Sequence, residues 1–199
     1  GADGGAVKAL ALLNCAGGMN NKCIFKETDR SVVELFVARI FLGILDAVLG
    51  TPALLNWAFS TYSSEENIRT ILQSVYVNKE RVDDELVRAI LAPAAAPTAP
   101  EVFGAILSGD PGERPESVMD RVSVPALAIW GDEDTFTSLN GPMGRYFTRR
   151  AEEPGSGVHL EVVNTGHVPH DDDPEQVLDR LVPFLQEQLK ATRVDTATA

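Results

Sequence analysis

Two short apolar runs, each followed at once by a cluster of polar residues, constrain the fold of this chain more than any other feature. The first run covers residues 124–129 and the second covers residues 158–163, roughly one strand–helix–strand unit further along the chain. Short apolar runs that are bounded by turn-forming and polar residues are typical of strands. The pattern therefore predicts an α/β fold, in which helices flank a parallel sheet.

The chain on either side of these runs extends the same pattern. Residues 7–13 form a third apolar run that ends at a Gly-rich turn, which predicts another buried strand. Residues 139–150 are expected to form the crossover helix between the two later strands. Asp173 and Pro174 are residue types that favour the N-cap and the first position of a helix, so a closing helix is predicted over residues 174–189.

A long middle segment separates the first predicted strand from the other two. It lacks strand-like alternation and shows helical patterns broken by Gly, Ser and Pro clusters, so we expect a helical insertion. We divide the chain into a first core strand (1–19), a helical lid (20–120), a second core segment with the polar clusters (121–190) and a disordered tail (191–199).

Composition and charge exclude several classes of protein. The 199 residues include 17 basic and 29 acidic ones, for a net charge of −12, and they form no basic stripe that could bind a nucleic acid. The spacing of Cys15 and Cys23 fits neither a redox pair nor a four-ligand zinc site. We therefore expect reduced thiols and no metal site.

The polar clusters after the two apolar runs indicate a reactive site. Asp132, Glu133 and Asp134 follow the first run and His167 follows the second. The C-terminal ends of parallel strands are where open α/β sheets place their reacting groups, and an acid followed by a histidine suggests a hydrolase. His167 is expected to be the general base, because imidazole titrates close to neutral pH without perturbation.

The sequence does not contain the nucleophile motif that such a hydrolase uses, since no Gly-x-Ser-x-Gly occurs in it. Three parallel strands would also leave unpaired backbone groups at an edge of the sheet, so we expect further strands upstream. The chain has no methionine before Met19, which agrees with a start of translation further upstream.

Five motifs carry a resemblance to a known family, and the resemblance extends over about residues 7–189. They are Leu-Asn-Cys-Ala-Gly-Gly-Met-Asn-Asn-Lys at 13–22, Ser-Val-Tyr-Val-Asn-Lys at 74–79, Trp-Gly-Asp-Glu-Asp at 130–134, Gly-Pro-Met-Gly at 141–144 and Gly-His-Val-Pro-His-Asp-Asp at 166–172. They resemble plant and algal plastid α/β-hydrolases related to pheophytinase and chlorophyll dephytylase. The resemblance implies the C-terminal part of an α/β-hydrolase fold with a helical lid, and a chloroplast location. It also implies cofactor-free hydrolysis of a lipophilic carboxylic ester, such as the phytyl ester of a chlorophyll derivative.

The family pattern also implies roles for individual residues. Its Gly-x-x-Asp spacing places the acid that orients the imidazole at Asp134, three residues after Gly131, with Asp132 as the fallback. Phe136 and Val168 stand beside the acid and the histidine in sequence, and they are candidates to line the acyl or alcohol pocket. Apolar packing is an equally good explanation of these two side chains.

Cys15 is a rival nucleophile, because Cys15-Ala16-Gly17 matches the second half of a nucleophile elbow. The first half does not match, since the bulky Leu13 would crowd the sharp turn of an elbow. We therefore favour a buried, inert thiol at this position.

Residues 32–49 form a strongly apolar helical segment that contains Glu34, Arg39 and Asp46. Three charges make a membrane-spanning helix unfavourable, so a lid or interfacial helix is expected. Three explanations of its apolar side chains remain: packing within the protein, contact with a substrate, and peripheral contact with a membrane.

Three functions remain open at this point. The first is a serine ester hydrolase whose serine lies upstream, and the second is a non-catalytic, hydrolase-like binding subunit. The third is a relative of haloalkane dehalogenases or epoxide hydrolases that attacks with an aspartate. The residue that occupies the nucleophile position would decide between them.

Overall fold

The structure, a computed structural model, describes residues 7–26 and 30–197, with side chains through residue 190. The chain forms two compact units. The sheet unit contains the described residues of Gly1–Ala16, Val75–Arg81 and Val118–Ala199, and the helical unit contains those of Gly17–Ser74 and Val82–Ser117. The sequence assigned all of residues 20–120 to one helical segment, whereas Val75–Arg81 lies with the sheet.

The described part of the sheet unit contains three parallel strands. They are β1 (Leu10–Leu13), β2 (Ala126–Gly131) and β3 (Val158–Val163), and β2 lies in the centre. Leu10 is in register with Ala126, and Ala126 is in register with Val158. The predicted α/β class with parallel strands and flanking helices is therefore confirmed. β2 begins after Pro125, because proline has no backbone N–H to donate to a neighbouring strand.

Helices account for most of the remaining described chain. In chain order they are α1 (Val32–Leu49), α2 (Pro52–Tyr62), α3 (Glu65–Val75), α4 (Asp84–Leu91), α5 (Ala99–Ser108), α6 (Pro115–Val118), α7 (Pro142–Glu152), α8 (Pro169–Asp172) and α9 (Pro174–Ala197). Short 3₁₀ turns occur at Asn21–Lys26, Lys79–Arg81, Ala92–Ala95 and Met119–Arg121. α9 begins at Pro174, as predicted, and its backbone continues past residue 189 into the segment that was predicted to be a disordered tail.

β2 forms the centre of the core of the sheet unit, and all six of its residues are buried. One face of β2 packs against α7 through Trp130 and Phe147, whose ring centroids are 5.9 Å apart. The other face packs against α9, where Ile129 belongs to the same cluster as Val177 and Phe184. Burial on both faces explains why the β2 segment reads as a continuous apolar run. β1 was expected to be buried as well, but Ala11 is exposed and the three leucines of β1 are only partly buried.

α1 begins with a capping box and has few charges. The Ser31 hydroxyl accepts a hydrogen bond from the backbone N–H of Glu34, and the Glu34 carboxylate accepts one from the backbone N–H of Ser31. Asp46 forms an ion pair of 2.9 Å with Lys22, and the Arg39 guanidinium lies 5.9 Å from the centroid of the Phe25 ring.

Among the described residues, no single helix is both long and apolar enough to cross a bilayer. The segments Asp84–Ala95 and Ala99–Ser108 meet the length and composition criteria only when they are taken together as a bent pair.

Candidate active site

Asp134 lies in the turn that follows β2, and the turn holds its carboxylate firmly. Asp134 Oδ1 accepts hydrogen bonds from the backbone N–H groups of Phe136 (2.7 Å) and Thr137 (3.0 Å), and Oδ2 accepts one from the Thr137 hydroxyl. The indole N–H of Trp130 donates to the Thr137 carbonyl oxygen at 2.7 Å, which ties the turn to the core. The position of the carboxylate is therefore set by the backbone around it.

The carboxylate of Asp134 is buried and nevertheless strongly acidic. Burial raises its pKa, but the hydrogen bonds from His167, from the Thr137 hydroxyl and from two backbone N–H groups outweigh burial. Together they lower the pKa of Asp134 to about 2. Asp134 is therefore an anion at neutral pH.

His167 lies in the loop between β3 and α8, and its side chain meets that of Asp134. The Nδ1 atom of His167 is 3.0 Å from Oδ2 of Asp134 and 3.4 Å from the Thr137 hydroxyl oxygen. The Asp134 side chain is 0% exposed, whereas that of His167 is 34% exposed. The Asp134 side chain is thus fully buried, whereas the imidazole of His167 is accessible to solvent.

The partner of Nδ1 determines the tautomer of the histidine. An ionised carboxylate only accepts hydrogen bonds, so Nδ1 of His167 must donate its proton to Asp134. In the neutral imidazole the lone pair is then on Nε2. This arrangement can remove a proton from a hydroxyl group at Nε2 and stabilise the imidazolium that results.

The other predicted site residues have different positions. Phe136 is 64% exposed and its ring centroid lies 5.5 Å from that of His167, whereas Val168 is half-buried. Asp132 is exposed and accepts a hydrogen bond of 3.3 Å from the Asn164 side chain. The structure therefore brings Asp134, not Asp132, into contact with the histidine.

Asp172 fixes the loop that carries His167. It is 1% exposed, and its carboxylate accepts hydrogen bonds from the backbone N–H groups of Gly166 (2.7 Å), Val77 (2.8 Å) and Asn78 (2.7 Å). The backbone N–H of His167 donates to the Val75 carbonyl oxygen at 2.8 Å. The sequence gives no signal for this network, because its backbone partners are distant along the chain.

Tyr76 extends the same network. Its hydroxyl donates a hydrogen bond of 2.5 Å to Oδ2 of Asp171. Burial, followed by this hydrogen bond, raises the pKa of Tyr76 above its ordinary value. The tyrosine is therefore a neutral donor at physiological pH.

Asn14 also positions the site, although its role is not predicted from the sequence. It follows β1 with a positive φ of 41° and is 5% exposed. Its side-chain N–H donates to the Gly166 carbonyl oxygen at 2.9 Å, and its side-chain oxygen accepts from the Gly131 N–H at 2.7 Å. Asn14 thus joins the two loops that carry Asp134 and His167. The signal was an asparagine directly after a strand, since asparagine tolerates positive φ better than most residues.

Glycine is required at residues 131 and 166, where other backbone segments approach closely. A Cβ atom on Gly131 would lie 2.3 Å from the Gly166 carbonyl oxygen. A Cβ atom on Gly166 would lie 2.0 Å from the Val75 carbonyl oxygen. Both distances are to backbone atoms, which cannot rotate away.

The remaining candidates are not placed at this pair. Cys15 was expected to be buried, but it is only partly buried, and it packs against the core cluster that contains Trp130. His170 is exposed, and the ring of His159 lies 6.1 Å from that of Phe184. In the described part of the chain, no group of three or more His, Cys, Asp or Glu side chains is placed to hold a metal ion.

No protein-family model matches this chain, and no curated protein matches its sequence.

Proposed function

We propose that this chain supplies the acid and the base of a serine hydrolase of the α/β-hydrolase type, acting on a lipophilic carboxylic ester. The observation that supports this most directly is the distance of 3.0 Å between Nδ1 of His167 and the buried carboxylate of Asp134. A histidine oriented by a buried acid and still partly exposed is what general-base catalysis needs.

In the proposed reaction, Nε2 of His167 takes the proton of a serine hydroxyl while the serine oxygen attacks the ester carbonyl carbon. The tetrahedral intermediate then breaks its bond to the alcohol, which leaves with the proton from His167. Water attacks the acyl-serine next and gives its proton to Nε2. The carboxylic acid is released, and the proton returns to the serine. Asp134 stays ionised and stabilises the imidazolium in both steps.

The proposal assigns the nucleophilic serine to polypeptide outside these 199 residues, because they contain no Gly-x-Ser-x-Gly motif. It needs no metal or organic cofactor. The chain's part of the mechanism is therefore to position one histidine and to control its proton.

Exposed apolar surface next to His167 supports a lipophilic substrate. Phe136 lies against His167 and is mostly exposed, so it can contact a greasy acyl or alcohol group. The resemblance described above points to a phytyl ester of a chlorophyll derivative and to the chloroplast. Both belong to the proposal.

Contact with a membrane surface is a further part of the proposal. α1 exposes a row of large apolar side chains at helical spacing, namely Val33, Phe36, Val37, Ile40, Phe41 and Ile44, which are 51–72% exposed. Its three charged residues are engaged in the capping box, in the ion pair with Lys22 and in the contact with the Phe25 ring. Such a face can rest on the apolar layer just below lipid headgroups, where substrates of this kind dissolve.

The test uses the complete natural translation product that contains these residues. We would measure kcat/KM on 4-nitrophenyl esters of increasing acyl length and on a phytyl ester of a chlorophyll derivative. Asp134→Asn and His167→Gln should each lower kcat by about a thousandfold or more, because the imidazole loses its orientation or is removed. Asp132→Asn and His170→Gln are matched controls on exposed neighbours and should leave kcat/KM unchanged.

Equal losses in Asp132→Asn and Asp134→Asn would show that Asp134 is not the orienting acid. A complete product that hydrolyses no ester would favour the second candidate, a non-catalytic binding subunit. The absence of the Gly-x-Ser-x-Gly motif is the observation that supports this second candidate. Turnover of haloalkanes or epoxides instead of esters would identify an aspartate nucleophile.

A further inference from the structure

The helical unit contains an apolar pocket that the proposed reaction does not use. Its volume is about 540 Å³, within the range of roughly 300 to 1,000 Å³ that is usual for small-molecule sites. All of its lining residues belong to the helical unit. The walls are built from α2 to α5, with Phe59, Tyr62, Ile71, Ile90, Val102 and Phe103 among the lining residues.

The aromatic part of the wall is ordered by ring contacts. The rings of Phe59 and Phe103 meet edge to face with centroids 5.5 Å apart, and Tyr62 lies 6.0 Å from Phe103. These contacts join α2 to α5 and hold one side of the pocket in place. This side of the pocket is therefore an ordered wall between packed helices.

The chemistry of the wall limits what can bind. None of the described residues that line the pocket is charged, and its polar side chains are the hydroxyls of Tyr62, Ser63 and Thr98. The Ser63 hydroxyl already donates to the Phe59 carbonyl oxygen at 2.7 Å. The wall can therefore offer a hydroxyl partner to a small uncharged head group, but it offers no cation to an anion.

Several lining side chains remain open to water. Ile90 is 47% exposed and Val102 is 55% exposed. Covering such side chains with hydrocarbon is favourable by roughly 25 cal/mol for each Å² of apolar surface removed from water. Binding of a hydrocarbon chain in the pocket would be stabilised by burial of apolar surface on both the ligand and the wall.

We propose that this pocket binds an uncharged lipid with one long hydrocarbon chain and a hydroxyl-sized head group, such as a long-chain alcohol. An ionised carboxylate or phosphate would lose its hydration with no compensating cation in the wall. The net charge of −12 disfavours anions further. Neither Asp134 nor His167 is among the residues that line the pocket, so binding there can be measured separately from the proposed catalysis.

The experiment is a fluorescence titration of the full chain with Nile red, a neutral dye whose emission reports an apolar environment. Dodecan-1-ol, kept below its solubility limit, and dodecanoate, kept below its critical micelle concentration, have the same chain length and would then compete for the dye. The alcohol should displace the dye at a concentration about tenfold lower than the carboxylate or better, because only the carboxylate carries a charge that must be desolvated.

Two variants test the location of the site. Val102→Glu and Ile90→Glu place a carboxylate in the wall from different helices, and each should weaken dye and alcohol binding about tenfold or more. Both side chains are substantially exposed, so the fold should tolerate the changes, which circular dichroism would verify. Leu178→Glu, on an exposed position of α9, is the matched control and should bind as the unmodified chain does.

The absence of saturable alcohol binding would overturn the proposal. Competition by dodecanoate that equals that of dodecan-1-ol would overturn the chemical class. A loss in Leu178→Glu as large as that in Val102→Glu would show that the dye binds elsewhere, which would overturn the location.

Discussion

The buried carboxylate of Asp172 accepts a hydrogen bond of 2.7 Å from the backbone N–H of Gly166, the residue that precedes His167. The same carboxylate accepts from Val77 and Asn78, so one side chain joins two backbone segments that are far apart in sequence. The orientation of the histidine loop therefore depends on a residue that does not touch the imidazole–carboxylate pair in the contacts described above.

Asp172→Asn should destabilise the fold. The amide keeps one acceptor oxygen and turns its NH₂ group toward a backbone donor, so at least one buried N–H loses its partner. We expect a loss of about 3 kcal/mol in the free energy of unfolding, measured by urea titration. Asp179→Asn changes an exposed aspartate on α9 and should stay within about 0.5 kcal/mol of the unmodified chain. Equal midpoints for the two variants would contradict this role of Asp172.

Asn14 can be tested by separating its side-chain bonds from its backbone conformation. Asn14→Ala removes two hydrogen bonds and leaves a Cβ atom at a φ of 41°, so we expect a loss of about 3 kcal/mol in unfolding free energy. Asn14→Gly removes the same bonds but relieves the backbone, so its loss should be smaller by about 1 kcal/mol. Guanidinium unfolding of both variants measures the difference. Equal losses of unfolding free energy in Asn14→Ala and Asn14→Gly would refute backbone strain at this position.

The pH dependence of the unfolding free energy should show the effect of the lowered pKa of Asp134. Its pKa is lowered to about 2 in the folded chain, below the ordinary value of 3.8 that applies to the unfolded chain. The resulting stability is fully present well above pH 3.8 and is lost as the pH falls toward 2, because only the unfolded state takes up the proton in that window. The contribution is about 2 kcal/mol.

Asp134→Asn should therefore flatten the acid limb of a plot of urea midpoint against pH. The difference in stability between the variant and the unmodified chain should shrink as the pH falls from about 5 to about 2. Asp132→Asn serves as the control, since Asp132 is exposed, and it should leave the acid limb as it is. A parallel shift of the Asp134→Asn curve at all pH values would mean that the pKa of Asp134 is not depressed.

Alanine should have opposite effects at two glycines of this chain. Gly166→Ala would place a Cβ atom 2.0 Å from a backbone oxygen and should lower the free energy of unfolding by about 3 kcal/mol or more. A Cβ atom on Gly43, in α1, would have no neighbouring atom within 4 Å, so Gly43→Ala should stabilise the chain by about 0.5–1 kcal/mol. Differential scanning calorimetry of both variants checks the signs. Tolerance of alanine at residue 166 would contradict the close approach.

Membrane contact through α1 can be tested by flotation with phosphatidylcholine vesicles. The unmodified chain should float with the vesicles, and Phe41→Asp should reduce the floating fraction strongly, because a charge enters the apolar row. Phe41 is 64% exposed, so the substitution leaves the core intact. Leu178→Asp on α9 should float as the unmodified chain does. Flotation that is insensitive to Phe41→Asp would remove α1 from the proposal.

Local patterns were enough to predict most of the elements that position the candidate site. β3 occupies residues 158–163 and α1 occupies residues 32–49, as the apolar periodicity indicated. The ends of β2 and β3 also predict that Asp134 and His167 lie at one end of the sheet, where the structure has them in contact. Parallel strands bring their C-terminal ends together, so this juxtaposition follows from sequence order alone.

Long-range hydrogen bonds were beyond what the sequence could indicate. Asn14 and Asp172 are each ordinary turn or cap residues by local pattern, and their roles depend on backbone groups that only the folded chain brings near. The choice of Asp134 over Asp132 similarly depended on the family resemblance, because both carboxylates follow the same strand. The structure distinguishes them through burial and through the hydrogen bonds of the turn.

The pairing of β1 with β2 also sets an order of events during synthesis. β1 leaves the ribosome before the helical segments, but its central neighbour β2 follows them. Closing so long a stretch of chain costs entropy before the strands gain any contact, whereas helices that neighbour one another in sequence can pack early. β1 therefore stays without β2 throughout translation of the helical segments, and we expect the pairing of these two strands to be a late step of folding.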